Sequence, residues 1–304
     1  MARVLLTRRI PSSVLNPLQA RHSVEIYSGE GAIPRDELMQ RAADKDALIC
    51  LLTDRIDREV LEAAPALKIV ANIAVGYDNI DVAAARERGV VVTNTPDVLT
   101  EAVAEFTWAL ILALARRVVE GDRLVRSGGW KGWALDFMLG MELRGKQLGI
   151  IGAGRIGRAV AARAPAFGMK AVFAKHDMSV DELLVASDVI SIHTPGTPEM
   201  KYLFNKRSLA RMKRSALLVN TARGSIVDEE ALAWALDERL IAGAALDVYE
   251  KEPQVHPGLL KHERVILAPH LGSATRETRT AMADLAVRNV LAVLNGDEPL
   301  TPVP

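Results

Sequence analysis

The chain is 304 residues long, enough for two domains with their own cores, and its 49% hydrophobic and 25% charged residues are those of a globular protein. Its 38 basic residues balance 38 acidic ones, so net charge lends no support to a nucleic-acid or polyanion binder. The first residues do not read as a basic-then-apolar leader, and no apolar run reaches about 18 residues, so a cytoplasmic location and no membrane partner are expected.

In chain order, short apolar runs at 3–7, 23–27, 47–52, 68–72 and 90–94 predict strands. Helical patterns lie between several of them, such as 34–43 and 81–88. Strands alternating with helices predict a parallel sheet with helices on both faces. The lone cysteine, Cys50, sits inside the third run and reads as a buried strand residue. With one cysteine no internal disulfide can form. After the fourth run, Ile73-Ala74-Val75-Gly76-Tyr77-Asp78 offers backbone N–H groups around Gly76 as an anion-binding concavity. Residues 99–119 read as one long helix, opened by Thr100 with acidic Glu101 beside it. That helix is the natural crossover into a second domain.

The second domain opens on the most informative stretch, Gly149-Ile150-Ile151-Gly152-Ala153-Gly154-Arg155-Ile156-Gly157. A short buried strand is followed by G-x-G-x-x-G and then a helix, expected over 158–167. Such a turn lets backbone approach a pyrophosphate and aims a helix N-terminus at it. About half the chain precedes it, so a nucleotide domain inserted into another domain is expected. Strands are predicted at 147–151, 170–174, 189–193, 216–220, 243–247 and 265–268. A last helix, 276–294, is expected to pack back on the first domain.

An acid at the end of the second nucleotide-domain strand would hold an NAD ribose. Lys175 and His176 stand there instead, and two basic groups suit a 2′-phosphate, which favours NADP(H). The lesser alternative is that both are simple solvated loop residues. If the strand runs two residues longer, Asp177 becomes the ribose acceptor and NAD(H) returns.

Three strand ends carry further chemistry. An apolar strand delivers Arg223 into Asn220-Thr221-Ala222-Arg223-Gly224, another ends at Asp247 with Glu250 and Glu252 beyond, and a third leads through Pro269 to His270. Singly these read as a solvated arginine, a charged loop and a structural histidine. Together they suit reduction of a 2-oxo acid. Its carboxylate wants a fixed cation. Its carbonyl oxygen needs a proton donor near neutral pH, and a neighbouring carboxylate favours the protonated imidazole.

These motifs resemble the D-isomer-specific 2-hydroxyacid dehydrogenase family over essentially the whole chain. The resemblance implies two doubly wound parallel-sheet α/β domains, a Rossmann nucleotide domain (99–272) inserted into a flavodoxin-like substrate domain (1–98 and 273–304). It implies Arg223 of N-T-A-R-G as the substrate-binding arginine, His270 of P-H-x-G-S as acid/base, and Glu252 of E-x-E-P as the histidine's partner. Val75 and Gly76 would bind the substrate carboxylate. Thr100, Gly152, Gly154, Arg155, Ile156, Gly157, Lys175, His176, Thr194, Thr221, Ala222, Asp247 and Gly272 would contact the cofactor, Asp247 near the carboxamide. Gly128-Gly129-Trp130, Trp133 and Phe137-Met138-Leu139-Gly140 look most like the glyoxylate/hydroxypyruvate reductases. There Trp133 would reach into a neighbouring subunit's active site and imply a homodimer; the alternative is interface packing without substrate contact. A 3-phosphoglycerate dehydrogenase and a nucleotide-sensing corepressor are the other readings. The chain departs from the family at 176–180, a connector too short for the usual helix and strand, so a more open adenosine side is expected.

Overall fold

The computed structural model describes residues 1–304, which divide into two compact units, Met1–Leu99 with Thr275–Pro304, and Thr100–Ala274. The first unit opens with β1 (Arg3–Leu6), α1 (Ser12–Gln19), β2 (Ser23–Ile26), α2 (Arg35–Ala42), β3 (Ala47–Cys50), α3 (Arg58–Ala63), β4 (Ile69–Asn72), α4 (Val82–Glu87) and β5 (Val91–Thr93). The second holds α5 (Thr100–Ala115), α6 (Val118–Arg126), β6 (Gln147–Ile151), α7 (Arg155–Arg163), β7 (Lys170–Phe173), α8 (Val180–Ala186) and β8 (Val189–Ile192). It continues through α9 (Lys206–Leu209), β9 (Leu217–Asn220), α10 (Glu229–Asp237), β10 (Gly243–Leu246), α11 (Pro257–Leu260) and β11 (Val265–Leu267). The last helix, α12 (Arg276–Asn295), belongs to the first unit.

Both sheets are parallel throughout, in the orders β2-β1-β3-β4-β5 and β11-β10-β9-β8-β6-β7. Parallel strands buried on both faces need apolar residues at nearly every position, and the inner strands have them, while the edge strands β2 and β7 carry Glu25 and Lys170 and are less buried. In the first unit Leu5, Leu48 and Val70 face α2, α3 and α4, while Val4, Leu6, Ile49 and Ile69 face α1 and α12. In the second, Ile190, Leu218 and Leu246 face one layer, and Leu148, Ile150, Val189 and Val219 face the other, where α5 and α7 lie. Trp108 of α5 stacks on Phe167 with centroids 4.4 Å apart and donates to Val160 O at 3.0 Å. No helix is long and apolar enough to cross a membrane.

Two predicted helices are corrected. The single helix over 99–119 is broken: α5 stops at Ala115, Arg117 is left-handed (φ 56°), and α6 begins at Val118. Ala115 O accepts instead from Met141 N at 2.8 Å, because the returning chain packs Gly140 against the end of α5. A side chain at Gly140 would strike that same carbonyl. The helix expected at 158–167 starts three residues early, at Arg155, and gives way to a 3-10 turn at Ala164–Phe167, where Pro165 lacks the N–H an α-helix requires.

Gly157 lies inside α7, and a Cβ there would fall on the carbonyl of Gly152 and press Ile150. The close crossing of α7 over β6 therefore depends on that missing side chain. Gly157→Ala is expected to destabilise the protein by about 1–3 kcal/mol in urea denaturation; an unchanged midpoint would show that the turn relaxes freely.

Candidate active site

All strands of the second sheet run the same way, so their carboxyl ends share one edge. That edge collects the residues singled out above within this unit: Gly152–Gly157 after β6, Lys175 and His176 after β7, Thr194 after β8, Thr221–Arg223 after β9, Asp247 and Glu252 after β10, and His270 and Gly272 after β11. The first turn of α5, which begins at Thr100, reaches the same place: a Cβ on Gly272 would meet Val103 at 3.5 Å.

The glycine turn has three different reasons for its three glycines. Gly152 has φ 105° and lies against the His193 carbonyl, leaving no room for a side chain. Gly154 is the N-cap of α7 and has open space where a Cβ would stand. Gly157 fits the helix to the strand. An open backbone cradle at a helix N-terminus suits a dinucleotide's pyrophosphate, so the residues fit the expected cofactor.

Asn220, fully buried, shapes the loop that carries Arg223: its side chain accepts from Ala222 N at 3.0 Å and donates to Arg223 O at 2.9 Å. Arg223 Nη1 donates to Ala222 O at 2.8 Å, and the arginine's stem lies over Gly196. Gly224 sits so close to the Tyr249 backbone that any side chain would overlap it. The loops after β9 and β10 are thereby held together, Arg223 on one and Glu252 on the other.

His270 Nδ1 lies 2.9 Å from Glu252 Oε2, with both side chains partly exposed. Tyr249 N donates to the other glutamate oxygen at 3.1 Å. Burial opposes ionisation of Glu252, yet the His270 hydrogen bond, that ring's charge and the nearby Arg223 outweigh it and hold the carboxyl below its usual range. Glu252 thus takes up Nδ1 and leaves Nε2 as the ring nitrogen without a hydrogen bond in the chain. His193, by contrast, is pushed down to about 3 by burial and stays neutral beside Ser191 Oγ, 2.8 Å away.

Comparisons with known proteins show the family. Residues 108–272 match the model of the D-isomer specific 2-hydroxyacid dehydrogenase NAD binding domain. The chain is 47% identical over 316 aligned positions to the glyoxylate reductase of Thermococcus kodakarensis, covering 98% of this chain and 95% of that one. A crystal structure of a Thermus thermophilus protein superposes with TM-score 0.95 at 48% identity, covering 99% of this chain and all of that one. The NADPH-dependent glyoxylate/hydroxypyruvate reductase of Sinorhizobium meliloti superposes with TM-score 0.86 at 34% identity, covering 100% and 98% of the two chains. The chain belongs to the D-isomer specific 2-hydroxyacid dehydrogenase family.

Other parts of this dehydrogenase were not visible from its motifs. Asp247, expected only as a cofactor contact, is 1% exposed, and its carboxylate accepts from Leu271 N at 2.6 Å and Gly272 N at 2.8 Å. Burial raises its pKa despite those two bonds. Its backbone carbonyl accepts from His270 N at 3.0 Å. Glu229, buried at the start of α10, accepts from Glu250 N at 2.6 Å and His256 N at 2.9 Å, clasping both ends of the loop that carries Glu252. An acidic residue beside the helix-capping Asp228 was the one available signal, and it reads equally as a solvated first-turn glutamate.

The connector after β7 is a tight turn. The strand stops at Phe173, short of the predicted 174, and Asp177 folds back so that its Oδ2 accepts from Phe173 N at 2.7 Å. The longer strand that would free Asp177 does not form. Lys175 is left-handed (φ 65°), and it and His176 are exposed. Val75 and Gly76 lie in the first unit, just beyond β4. Trp133 is 80% and Trp130 54% exposed.

The His270 hydrogen bond is the largest of the effects that hold the Glu252 carboxyl below its usual range. His270→Ala removes that bond and leaves burial less opposed, so Glu252 is expected to take up its proton at higher pH in this variant, as read by carboxyl NMR or infrared titration; an unmoved titration would break the pairing.

Proposed function

We propose that this dehydrogenase reduces a small 2-oxo acid, glyoxylate or hydroxypyruvate, to the 2-hydroxy acid with NADPH. The observation that carries the reading is the His270–Glu252 pair at 2.9 Å, beside the Arg223 loop on the edge that also holds the glycine turn. The names of the relatives support the substrate class.

Gly152, Gly154, Arg155, Ile156 and Gly157 would hold the pyrophosphate, with Thr100, Thr194, Thr221, Ala222, Asp247 and Gly272 around the rest of the cofactor. A bound nicotinamide supplies the hydride to the carbonyl carbon. Arg223 and the Val75 and Gly76 amides bind the substrate's carboxylate and orient its carbonyl. As that carbon becomes tetrahedral its oxygen gains negative charge. His270 Nε2 gives it a proton, and Glu252 stabilises the imidazolium beforehand.

Preference for NADPH rests on the β7 connector. Asp177 spends one carboxylate oxygen on Phe173 N, while Lys175 and His176 are exposed beyond the strand. A cation there attracts a 2′-phosphate, whereas a ribose diol needs an acceptor. The exposed run of Trp130, Trp133, Leu135, Phe137 and Leu139 supports a homodimer contact, since a solvated stretch of that size is costly. A cytoplasmic enzyme completes the reading.

A steady-state panel of glyoxylate, hydroxypyruvate, pyruvate and 3-phosphohydroxypyruvate with both cofactors tests this. Glyoxylate or hydroxypyruvate with NADPH is expected to give the highest kcat/KM, and no turnover of any would overturn the reading. His270→Ala is expected to lower kcat by about 10²–10⁴-fold with NADPH binding retained. Lys175→Asp is expected to move the NADPH/NADH ratio of kcat/KM towards NADH; a ratio that stays put would remove Lys175 from cofactor choice.

A further inference from the structure

The loop after β4 is held by its carbonyls. Thr95 N donates to Ala74 O at 2.8 Å, Asn94 Nδ2 to Val75 O at 2.8 Å, and Asn72 Nδ2 to Gly76 O at 2.9 Å. Three successive carbonyls are thus occupied. The amides of Val75, Gly76 and Tyr77 donate to no acceptor within the chain, although all three residues are partly buried. Three successive amides without an acceptor in a partly buried loop can together receive an anion.

Asn94 is itself fixed from the other end of the chain. Thr301 Oγ1 donates to Asn94 O at 2.6 Å, and Asn94 N donates to Thr301 O at 3.3 Å. Asn289 of α12, fully buried, donates to Thr301 Oγ1 at 2.9 Å and accepts from Leu300 N at 2.9 Å and Thr301 N at 3.1 Å. A relay therefore runs from α12 through Thr301 and Asn94 to Val75, all within the first unit.

We propose that Asn94 is a positioning residue for the substrate carboxylate, held in register by Thr301 and Asn289. The inference rests on the reading that the Val75 and Gly76 amides receive that carboxylate. Asn94 does not touch the substrate. It holds the Val75 carbonyl on one side so that the neighbouring amides remain available to an anion. The final helix and the segment after it thereby set affinity for the 2-oxo acid, separately from the proton donor.

The test uses the full-length enzyme saturated with NADPH. Asn94→Ala is expected to raise both KM for glyoxylate and the inhibition constant of oxalate about tenfold, equivalent to about 1.4 kcal/mol. Thr301→Val is expected to raise both about threefold, as loss of one supporting hydrogen bond would. In both variants kcat, its pH profile and the NADPH dissociation constant stay as in the unaltered enzyme. Unchanged KM and oxalate inhibition would overturn the proposal. So would a joint shift of KM, kcat and NADPH binding, which marks general loosening. If the unaltered enzyme turned over no 2-oxo acid, the reaction reading would fall instead, and direct titration of oxalate into the same variants would decide the role of Asn94.

Discussion

The placement of His270 depends on one buried carboxylate. Asp247 sits at the end of β10, shielded from water, and takes two consecutive amides of the chain leaving β11. His270 has φ 54°, a conformation that costs a non-glycine residue of order 1–3 kcal/mol and persists only where the surroundings impose it. Here the Asp247 carboxylate and carbonyl supply that constraint from both sides of the residue.

The remaining positions follow from close backbone approaches. Parallel strands bring several loops to one sheet edge, but adjacency alone leaves each loop free to wander. Gly224 removes that freedom by pressing the β9 loop onto Tyr249, and Tyr249 is pinned in turn by its hydroxyl bond to Ala268 O at 2.8 Å. Glu229 closes the other side of the Glu252 loop. Arginine, glutamate and histidine are thus carried on loops that brace one another. Small rigid contacts of this kind hold the His270–Glu252 hydrogen bond in place in the folded chain.

Much of this was legible in the chain itself. Apolar runs of strand length separated by helical patterns carry the parallel sheets, because residues buried on both faces cannot alternate with polar ones. Arg223, Glu252 and His270 announced themselves by following such runs. What stayed hidden depends on distant partners. The break at Arg117 has no proline or glycine beside it; its cause is Gly140 and Met141 returning to the end of α5. Asp247 was expected as a cofactor contact, but its grip on Leu271 N and Gly272 N stayed hidden because nothing local shows it. Asp177 was readable as a ribose acceptor until its bond to Phe173 N removed the strand extension on which that depended.

The division of the chain has a consequence for its synthesis. The second unit is one continuous stretch, so all of its contacts exist once Ala274 has been made. The first unit lacks α12 until after the second unit has been made, and α12 is the helix that packs on β3 and β4. An emerging polypeptide therefore completes its second-encoded unit first and its first-encoded unit last, reversing the usual amino-to-carboxyl order of domain formation. Ile49, Ile69 and Ala71 share one core cluster with Val287 and Val290 of α12, so that cluster is complete only when α12 has been made.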